Sequence, residues 1–384
     1  MKRILWLCSW YPNQYNITEA DFIQRQAQAL SLFSKVHVLM VKDVRDKIKP
    51  QIEQFKNGNL TETIIYYHGI SNQSLLKRIK SNLDYLKYSK SGVLDYVKEN
   101  GVPDFVHVQV PVRACTTALW MKRKFGSKFN VTEHFGIYNK VASDRFEVRS
   151  NYYKQAVKKM FSSAEKLIVV SNELGENINE WVLKKKYSVI PNVVNTDFFN
   201  FDDAVIQTAQ KDFTFLHVSN MKNVKNVEGI IDAVKTLAKT DSNFKLKIIG
   251  KPTESILNYA EQSGLQKSKL IFTGEISYPD VAKEMKNADG LLMFSKSESG
   301  SCVVQEALCC GLPVISTPVG IAKELITDSN GVLVPTDSIT DLVKAMKTLK
   351  NNIDVYNRKI ISETVINIFS YSTIGKKILG SYNF

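Results

Sequence analysis

Strand-like and helix-like segments alternate along the chain, and this alternation constrains the fold more than any other feature of the sequence. Short apolar runs such as Phe105–Val110 and Phe129–His134 are separated by stretches with apolar residues at helical spacing, such as Ala114–Phe125. Strands that alternate with helices favour parallel sheets whose faces are covered by the helices. The pattern therefore predicts an α/β fold.

A second series of the same kind begins after Asn200, with strands expected at Phe213–Val218 and Phe244–Ile249. The chain has 384 residues, which is too long for one ordinary core and suits about two domains. We therefore predict two Rossmann-like halves around a ligand-binding cleft.

The region 291–335 contains the residues that best indicate which ligand the protein binds. Glu298 follows an apolar run, and a Gly300–Ser301 turn comes next. Glu306 lies in the helix-forming run Val303–Cys310. A helix that starts at this turn would offer backbone N–H groups to a phosphate. A carboxylate one turn further on can accept hydrogen bonds from a ribose diol.

From Glu306 to Ile315 the sequence is E-A-L-C-C-G-L-P-V-I, preceded by Glu298 in an E-x7-E pair. This string resembles the retaining, nucleotide-sugar-dependent glycosyltransferases of family 4 (group 1), which have the GT-B fold. That family usually has Phe-Gly where this chain has Gly300-Ser301. The resemblance implies two Rossmann-like domains that face each other across a cleft. It also implies an acceptor-binding domain at 1–197, a nucleotide-sugar domain at 198–365 and a C-terminal helix at 366–384 that returns to the first domain.

The resemblance also implies which residues would hold the donor. Lys225 matches a lysine that neutralises the diphosphate, and Asn220 stands where an arginine is usual. Glu306 would bind the ribose, and Glu298 would lie against the sugar. The remaining expected donor contacts come from the turns at two strand ends: Gly274, Ile276, Gly300, Ser301, Cys302 and Val303.

Each of these assignments has a plainer alternative. Lys225 could be a solvated lysine at a strand–helix turn, and Gly274 could belong to an ordinary turn at a strand end. Glu306 could be a partly buried helix glutamate that only meets a surface lysine.

In the first half, Val131-Thr132-Glu133-His134-Phe135 resembles the family's T-E-H-[WF] strand end, where a histidine faces the donor sugar and phosphate. His134 is therefore expected to be catalytic, together with Glu298 and Lys225. Asp21, Arg25 and Glu133 are candidates for binding the acceptor. The alternatives are a structural histidine, a helix N-cap for Asp21, a surface charge for Arg25 and a loop cap for Glu133.

Positive charge is concentrated in the first half of the chain. Residues 1–200 contain 30 Lys and Arg against 18 Asp and Glu, whereas residues 201–384 contain 21 against 20. The basic amphipathic stretch from Lys77 to Lys90 is typical of a solvated helix face, and contact with an anionic membrane surface is the sharper alternative, with which the basic first half agrees. The N-terminal apolar run is too short for a signal sequence. We expect a cytoplasmic protein, peripheral on the inner face of the cell membrane.

Several other kinds of site have no support in the sequence. It contains no D-x-D motif, no His, Cys and Asp cluster with metal-ligand spacing, and no G-x-G-x-x-G or Walker motif. Five cysteines in a long chain are expected to be reduced. We therefore predict an enzyme that needs neither metal nor cofactor, with the nucleotide sugar as its co-substrate.

The sequence thus predicts a retaining glycosyltransferase. It would move a sugar from a nucleotide diphosphate to a hydroxyl of a glycan or lipid-linked glycan in cell-surface polysaccharide synthesis. One alternative is a GT-B sugar-nucleotide epimerase. The other is a nonenzymatic polyanion-binding protein, suggested by the isoelectric point near 9.3. Nucleic acid is not an expected partner, because basic and aromatic residues do not interleave.

Overall fold

The computed structural model describes residues 1–70, 74–141, 145–202 and 212–384. These residues form two compact units. The first comprises the described residues of 1–138, 145–193 and 371–384, and the second those of 139–141 and 194–370. The divisions fall after Val193 and after Ser370, where the sequence placed boundaries at 197 and 365.

The first unit is built on one eight-stranded sheet with the order β3-β4-β2-β1-β5-β6-β7-β8. Only β3 is antiparallel to its neighbour, β4. The strands are β1 (Arg3–Cys8), β2 (Lys35–Val44), β3 (Gln51–Asn57), β4 (Leu60–His68), β5 (Phe105–Gln109), β6 (Phe129–Glu133), β7 (Leu167–Val169) and β8 (Tyr187–Val189).

The helices of the first unit cover both faces of its sheet, and each face has its own apolar core. They are α1 (Asp21–Ser31), α2 (Leu75–Asn100), α3 (Pro111–Phe125), α4 (Asn151–Ser163), α5 (Asn172–Trp181) and the last helix of the chain, α13 (Tyr371–Gly380).

The last helix, α13, returns to the first unit and packs on α1. Ile374 and Ile378 are buried in that unit's core. A Cβ added at Gly375 would lie 2.2 Å from the carbonyl oxygen of Ala29, so only glycine permits this close approach of the two helices. The predicted return of the C-terminal helix to the first domain is therefore confirmed.

The second unit has a six-stranded parallel sheet with the order β11-β10-β9-β12-β13-β14. Numbered within this unit, the order is 3-2-1-4-5-6, which is that of the Rossmann fold. The strands are β9 (Phe213–Val218), β10 (Phe244–Ile249), β11 (Leu270–Gly274), β12 (Gly290–Met293), β13 (Val314–Ser316) and β14 (Gly331–Leu333).

The described residues of the second unit form seven α-helices. They are α6 (Val227–Leu237), α7 (Glu254–Gln262), α8 (Tyr278–Asn287), α9 (Cys302–Cys309), α10 (Ala322–Leu325), α11 (Ile339–Asn351) and α12 (Arg358–Phe369). The strand order reverses between β9 and β12, and ligands of open α/β sheets bind at the carboxyl ends of strands at such a point. The loops after β9 and β12 are therefore the first place to look for a site.

All five cysteines are free, and four of them are buried. No described helix is long and apolar enough to cross a lipid bilayer.

Candidate functional site

Two of the predicted residues meet where the strand order reverses in the second unit. Lys225 follows β9 and Glu298 follows β12, and the Lys225 ammonium lies 2.6 Å from Glu298 Oε1. The Ser295 hydroxyl donates a second hydrogen bond to Oε1 at 2.8 Å. The side chains are 18% and 9% exposed, so the ion pair is largely shielded from water. A solvated Lys225, the plainer alternative, is not what the structure shows.

The turn that carries Lys225 is held by a buried histidine that the sequence analysis did not single out. The His217 Nδ1–H donates to the Leu292 carbonyl at 2.8 Å, and its Nε2 accepts from the Ser219 hydroxyl at 2.8 Å. Ser219 Oγ in turn accepts from the Met221 backbone N–H. Burial lowers the His217 pKa to about 4, so this chain of hydrogen bonds contains a neutral imidazole. The sequence did contain one signal for His217, since it is a polar residue inside a mostly apolar strand.

The N-terminus of α9 follows Gly300 and Ser301, as predicted. Its N-cap residue, Ser301, makes no side-chain capping hydrogen bond with the described residues and adopts an unusual φ of 26°. The Ser301 hydroxyl is buried and has no hydrogen-bond partner among the described residues. Cys302 and Val303 form the first turn and are half-buried. An uncapped helix start with an unpaired hydroxyl beside it is suited to an anion.

Glu306 lies one turn into α9 and is 4% exposed. The Tyr278 hydroxyl donates to Glu306 Oε1 at 2.7 Å, and the Tyr278 ring packs on Phe199. A buried carboxylate with a tyrosine partner has further acceptor capacity for a ligand's hydroxyls.

The loop that carries Glu298 is fixed by close backbone packing. Gly320 has a φ of 56°, and a Cβ there would lie 2.7 Å from the Ser299 carbonyl oxygen and 3.0 Å from the Glu298 carbonyl carbon. Asn139, which belongs to this unit, donates from its amide to the Glu298 carbonyl oxygen at 3.2 Å. These contacts determine where the Glu298 carboxylate lies.

Three other predicted donor residues lie at strand ends of the same unit. Gly274 ends β11 with a φ of 75°, and Ile276 is half-buried just after it. Asn220 is exposed, and its side-chain oxygen accepts from the Lys222 backbone N–H at 3.4 Å. Asn220 therefore adds no cation where the family usually has an arginine.

In the first unit, Glu133 is fully buried at the end of β6. Its Oε1 accepts from the backbone N–H groups of His134 and Phe135, both at 2.9 Å, and its Oε2 accepts from the Tyr138 hydroxyl at 3.0 Å. These are the contacts of a loop cap, the alternative that the sequence left open. Burial raises the pKa of Glu133 to about 7.

His134 is 7% exposed, and burial lowers its pKa to about 3. Its Nε2 lies 2.9 Å from Gln109 Oε1, at the end of the neighbouring strand β5. The Phe22 ring packs against the imidazole with 4.9 Å between centroids. The sequence analysis did not identify Gln109.

The two remaining acceptor candidates form an ion pair on α1. Arg25 Nη1 lies 2.6 Å from Asp21 Oδ2, and Arg25 Nε donates to the Val193 carbonyl at 3.2 Å. Arg25 is buried, so it is not a surface charge, whereas the Asp21 side chain is 41% exposed. Asp21 begins the helix, and the N-cap position belongs to Ala20.

No group of three His, Cys, Asp or Glu side chains among the described residues is placed to hold a metal ion.

Two family models match the chain in succession. The model of Glycosyltransferase Family 4 matches residues 61–198, and that of Glycosyl transferases group 1 matches residues 198–363. The second match contains Lys225, Glu298 and Glu306. The chain belongs to the group 1 glycosyltransferases.

Proteins named as glycosyltransferases in other organisms align with part or most of the chain. An uncharacterized glycosyltransferase of Methanocaldococcus jannaschii is 33% identical over 208 residues, 53% of this chain and 54% of that protein. The chain thus spans about half the length of this relative. The Bacillus subtilis protein TuaC, provisionally named as a glycosyltransferase of teichuronic acid biosynthesis, is 23% identical over 90% of this chain and 88% of its own length.

A solved structure supports the fold. Anabaena HepE, crystallised in complex with UDP and glucose, superposes with a TM-score of 0.71 over 99% of both chains at 14% identity. At this identity the likeness establishes the fold alone. The group 1 glycosyltransferase described here therefore has the GT-B fold, as predicted.

Proposed function

We propose that this protein is a retaining glycosyltransferase that moves a sugar from a nucleoside diphosphate donor to a hydroxyl of a glycan or lipid-linked glycan. The observation that carries the proposal is the shielded Lys225–Glu298 ion pair at the strand-order reversal of the second unit. The uncapped start of α9 and the buried Glu306 carboxylate belong to the same unit.

The diphosphate of the donor needs positive charge, because its negative charge grows as the sugar departs. In our proposal Lys225 supplies one cation, and the N-terminus of α9 supplies backbone N–H groups and the Ser301 hydroxyl. Glu298 holds the ammonium in place at 2.6 Å before the donor arrives. Such preorganised charge costs little rearrangement during the reaction.

Glu306 would hold the ribose of the donor through charge-assisted hydrogen bonds from the two hydroxyls. Its Oε1 already accepts one bond from Tyr278, which fixes the direction of the carboxylate. Gly274 and Ile276 would contact the base mainly through the backbone. These roles come from the family pattern.

Retention of the anomeric configuration is part of the proposal. In the family's mechanism the acceptor attacks from the face that the diphosphate leaves, and the leaving phosphate takes the acceptor's proton. No strong general base is then required. A neutral His134 agrees with this scheme, because a pKa lowered to about 3 makes a weak base.

We further propose a polysaccharide or lipid-linked glycan as the acceptor. TuaC, by its name, belongs to the synthesis of teichuronic acid, and it aligns with most of this chain. Within the first unit the half-exposed Asp21 carboxylate is the acceptor candidate that a ligand can reach most easily. Buried Arg25 would act by holding Asp21 in place.

We propose that α2 brings the first unit to an anionic membrane. Leu76, Ile79 and Leu83 recur at helical spacing and are 79%, 49% and 61% exposed. Exposed Lys77, Arg78, Lys80 and Lys87 surround them on the same part of the helix. Exposed apolar residues flanked by basic ones are typical of helices that lie in a bilayer interface. This arrangement favours the membrane interpretation over a merely solvated face.

We also propose that transfer needs neither metal nor cofactor. Lys225 and the α9 N-terminus together offer the charge that a metal ion supplies in other glycosyltransferases.

A donor screen tests the function. Purified full-length protein would be incubated with a panel of UDP-, GDP-, ADP- and dTDP-sugars, and slow hydrolysis to the nucleoside diphosphate would be measured. We expect one donor to be hydrolysed clearly above the others. Lys225→Gln should abolish this activity, whereas Lys222→Gln, an exposed lysine of the same turn, should retain most of it. Equal activity in both variants would contradict the assignment of Lys225.

A further inference from the structure

The end of strand β5 holds a buried side chain that none of the assignments above uses. Gln109 has no exposed surface, and the side-chain hydrogen bond that it makes to a described residue joins Oε1 to His134 Nε2 at 2.9 Å. Within the described part of the chain, its amide nitrogen Nε2 is buried without a hydrogen-bond partner, and so is His134 Nδ1. A buried unpaired polar group costs about 1–3 kcal/mol, so two of them on contacting residues require an explanation.

The contact decides which nitrogen of His134 carries the proton. An amide oxygen can only accept a hydrogen bond, so His134 Nε2 must be the protonated nitrogen. Burial keeps the imidazole neutral, so it has no second proton. His134 Nδ1 is therefore a bare acceptor, and its missing partner must be a donor.

The surroundings hold the imidazole in this orientation. The Phe22 ring lies against it, and Gln109 and Glu133 end adjacent parallel strands. Val110, next to Gln109, has a φ of 55°, which is rare for a β-branched residue. Such local strain is kept in native structures where the surrounding residues demand it.

We propose that Gln109 is a positioning residue that fixes the Nε2–H tautomer of His134, so that Nδ1 accepts a hydrogen bond from a hydroxyl of a carbohydrate ligand. An imidazole in the other tautomer would present a donor and would favour a different ligand group. The unpaired Gln109 amide and the unpaired imidazole nitrogen together suit a carbohydrate, whose hydroxyls both donate and accept. The sugar contact, though not the tautomer, rests on the proposed function.

The tautomer can be measured on the ligand-free protein. With ¹⁵N-labelled histidine, long-range ¹H–¹⁵N spectra distinguish the protonated from the unprotonated ring nitrogen, and His134→Asn assigns the signals. We expect protonated Nε2 and unprotonated Nδ1 for His134 in the wild type. A protonated Nδ1 would overturn the proposal without bearing on the glycosyltransferase function.

Gln109→Leu should remove the preference for this tautomer and lower kcat for hydrolysis of the donor found in the screen by about tenfold, the equivalent of one hydrogen bond. The affinity for the nucleoside diphosphate should stay within about twofold, because its proposed contacts lie in the second unit. Asn130→Leu deletes another buried amide of the same sheet and should leave the His134 signals unchanged.

The same donor, added to the wild type, should shift the Nδ1 resonance, and the nucleoside diphosphate alone should not. If the tautomer is as expected but neither the donor nor Gln109→Leu has these effects, the sugar contact is refuted. A screen in which no donor is hydrolysed would count against the proposed function, and the tautomer measurement would still decide the role of Gln109.

Discussion

At the scale of single residues, Glu306 tests the donor site most simply. Glu306→Gln keeps the size of the side chain and an acceptor for the Tyr278 hydroxyl, but it removes the charge. Losing charge-assisted bonds to a ribose should weaken binding by roughly 1.5–3 kcal/mol. Calorimetry with UDP and GDP measures this. Glu261→Gln, an exposed helix glutamate of the same unit, is the control. Equal affinities in both variants would rule out the ribose role.

Glu133 makes a prediction about stability and pH. Its pKa of about 7 in the folded chain lies above the ordinary value of 4.5, so the folded state favours the protonated form. The stabilisation is therefore complete below about pH 4.5 and is lost as the pH rises through 7. Glu133→Gln should become more stable relative to the wild type as the pH increases from 5 to 8, by up to about 3 kcal/mol.

Urea unfolding of both proteins across this pH range measures the difference. Comparing the variant with the wild type cancels the contribution of the buried histidines, whose lowered pKa values act in the opposite direction below pH 6.5. A difference that stays constant with pH would show that Glu133 has an ordinary pKa.

Part of the candidate site could be predicted from the sequence, but the surroundings of its residues could not. The motif string identified Lys225 and Glu298, and the structure joins them in an ion pair. The burial of Arg25 could not be predicted, because it depends on a contact with Val193, which is far away in the sequence. The burial of Glu133 could not be predicted either, because it depends on how the following turn brings Tyr138 onto its carboxylate. His217, Ser219 and Gln109 were missed because their hydrogen bonds join neighbouring strands and turns.

At the scale of elements, hydrophobic periodicity located the buried strands well. Phe213–Val218 and Phe244–Ile249 have the predicted bounds, because both lie in the interior of a parallel sheet. The hairpin of β3 and β4 was not predicted. All but one of the residues in β3 are exposed, so this edge strand shows no alternation of buried and exposed positions.

Helix α2 carries the prediction about membranes. Changing Lys77, Arg78, Lys80, Lys87 and Lys90 together to Gln should abolish sedimentation with vesicles that contain anionic lipid. Each basic residue near such a surface contributes about 1 kcal/mol. Wild-type binding should weaken with salt, because the Debye length falls from about 10 Å at 0.1 M to about 3 Å at 1 M.

The exposed apolar residues of α2 allow a second test of membrane binding. Changing Leu76, Ile79 and Leu83 to Ser leaves every charge in place and should still weaken vesicle binding, because apolar insertion contributes to it. Leu257→Ser, at an exposed leucine of the second unit, is the matched control. Binding that persists in the charge variant would show that α2 is only a solvated face.

At the scale of the whole molecule, the proposal places all the positive charge for donor activation in the protein itself. Chelation by EDTA should therefore change the rate of donor hydrolysis by less than about twofold, since Lys225 and the α9 N-terminus remain in place. The control is the same assay with added Mg²⁺ or Mn²⁺. Activity that EDTA removes and either ion restores would contradict a metal-independent site.

The central claim is that the second unit binds a nucleoside diphosphate, and thermal unfolding of the full chain tests it most directly. A ligand at 100 times its Kd stabilises the folded state by about 2.7 kcal/mol. We predict that one nucleoside diphosphate raises the Tm by roughly 5 °C or more and that Glu306→Gln reduces this rise. If short oligonucleotides raise the Tm and no nucleoside diphosphate does at millimolar concentration, the protein binds polyanions and the account is wrong.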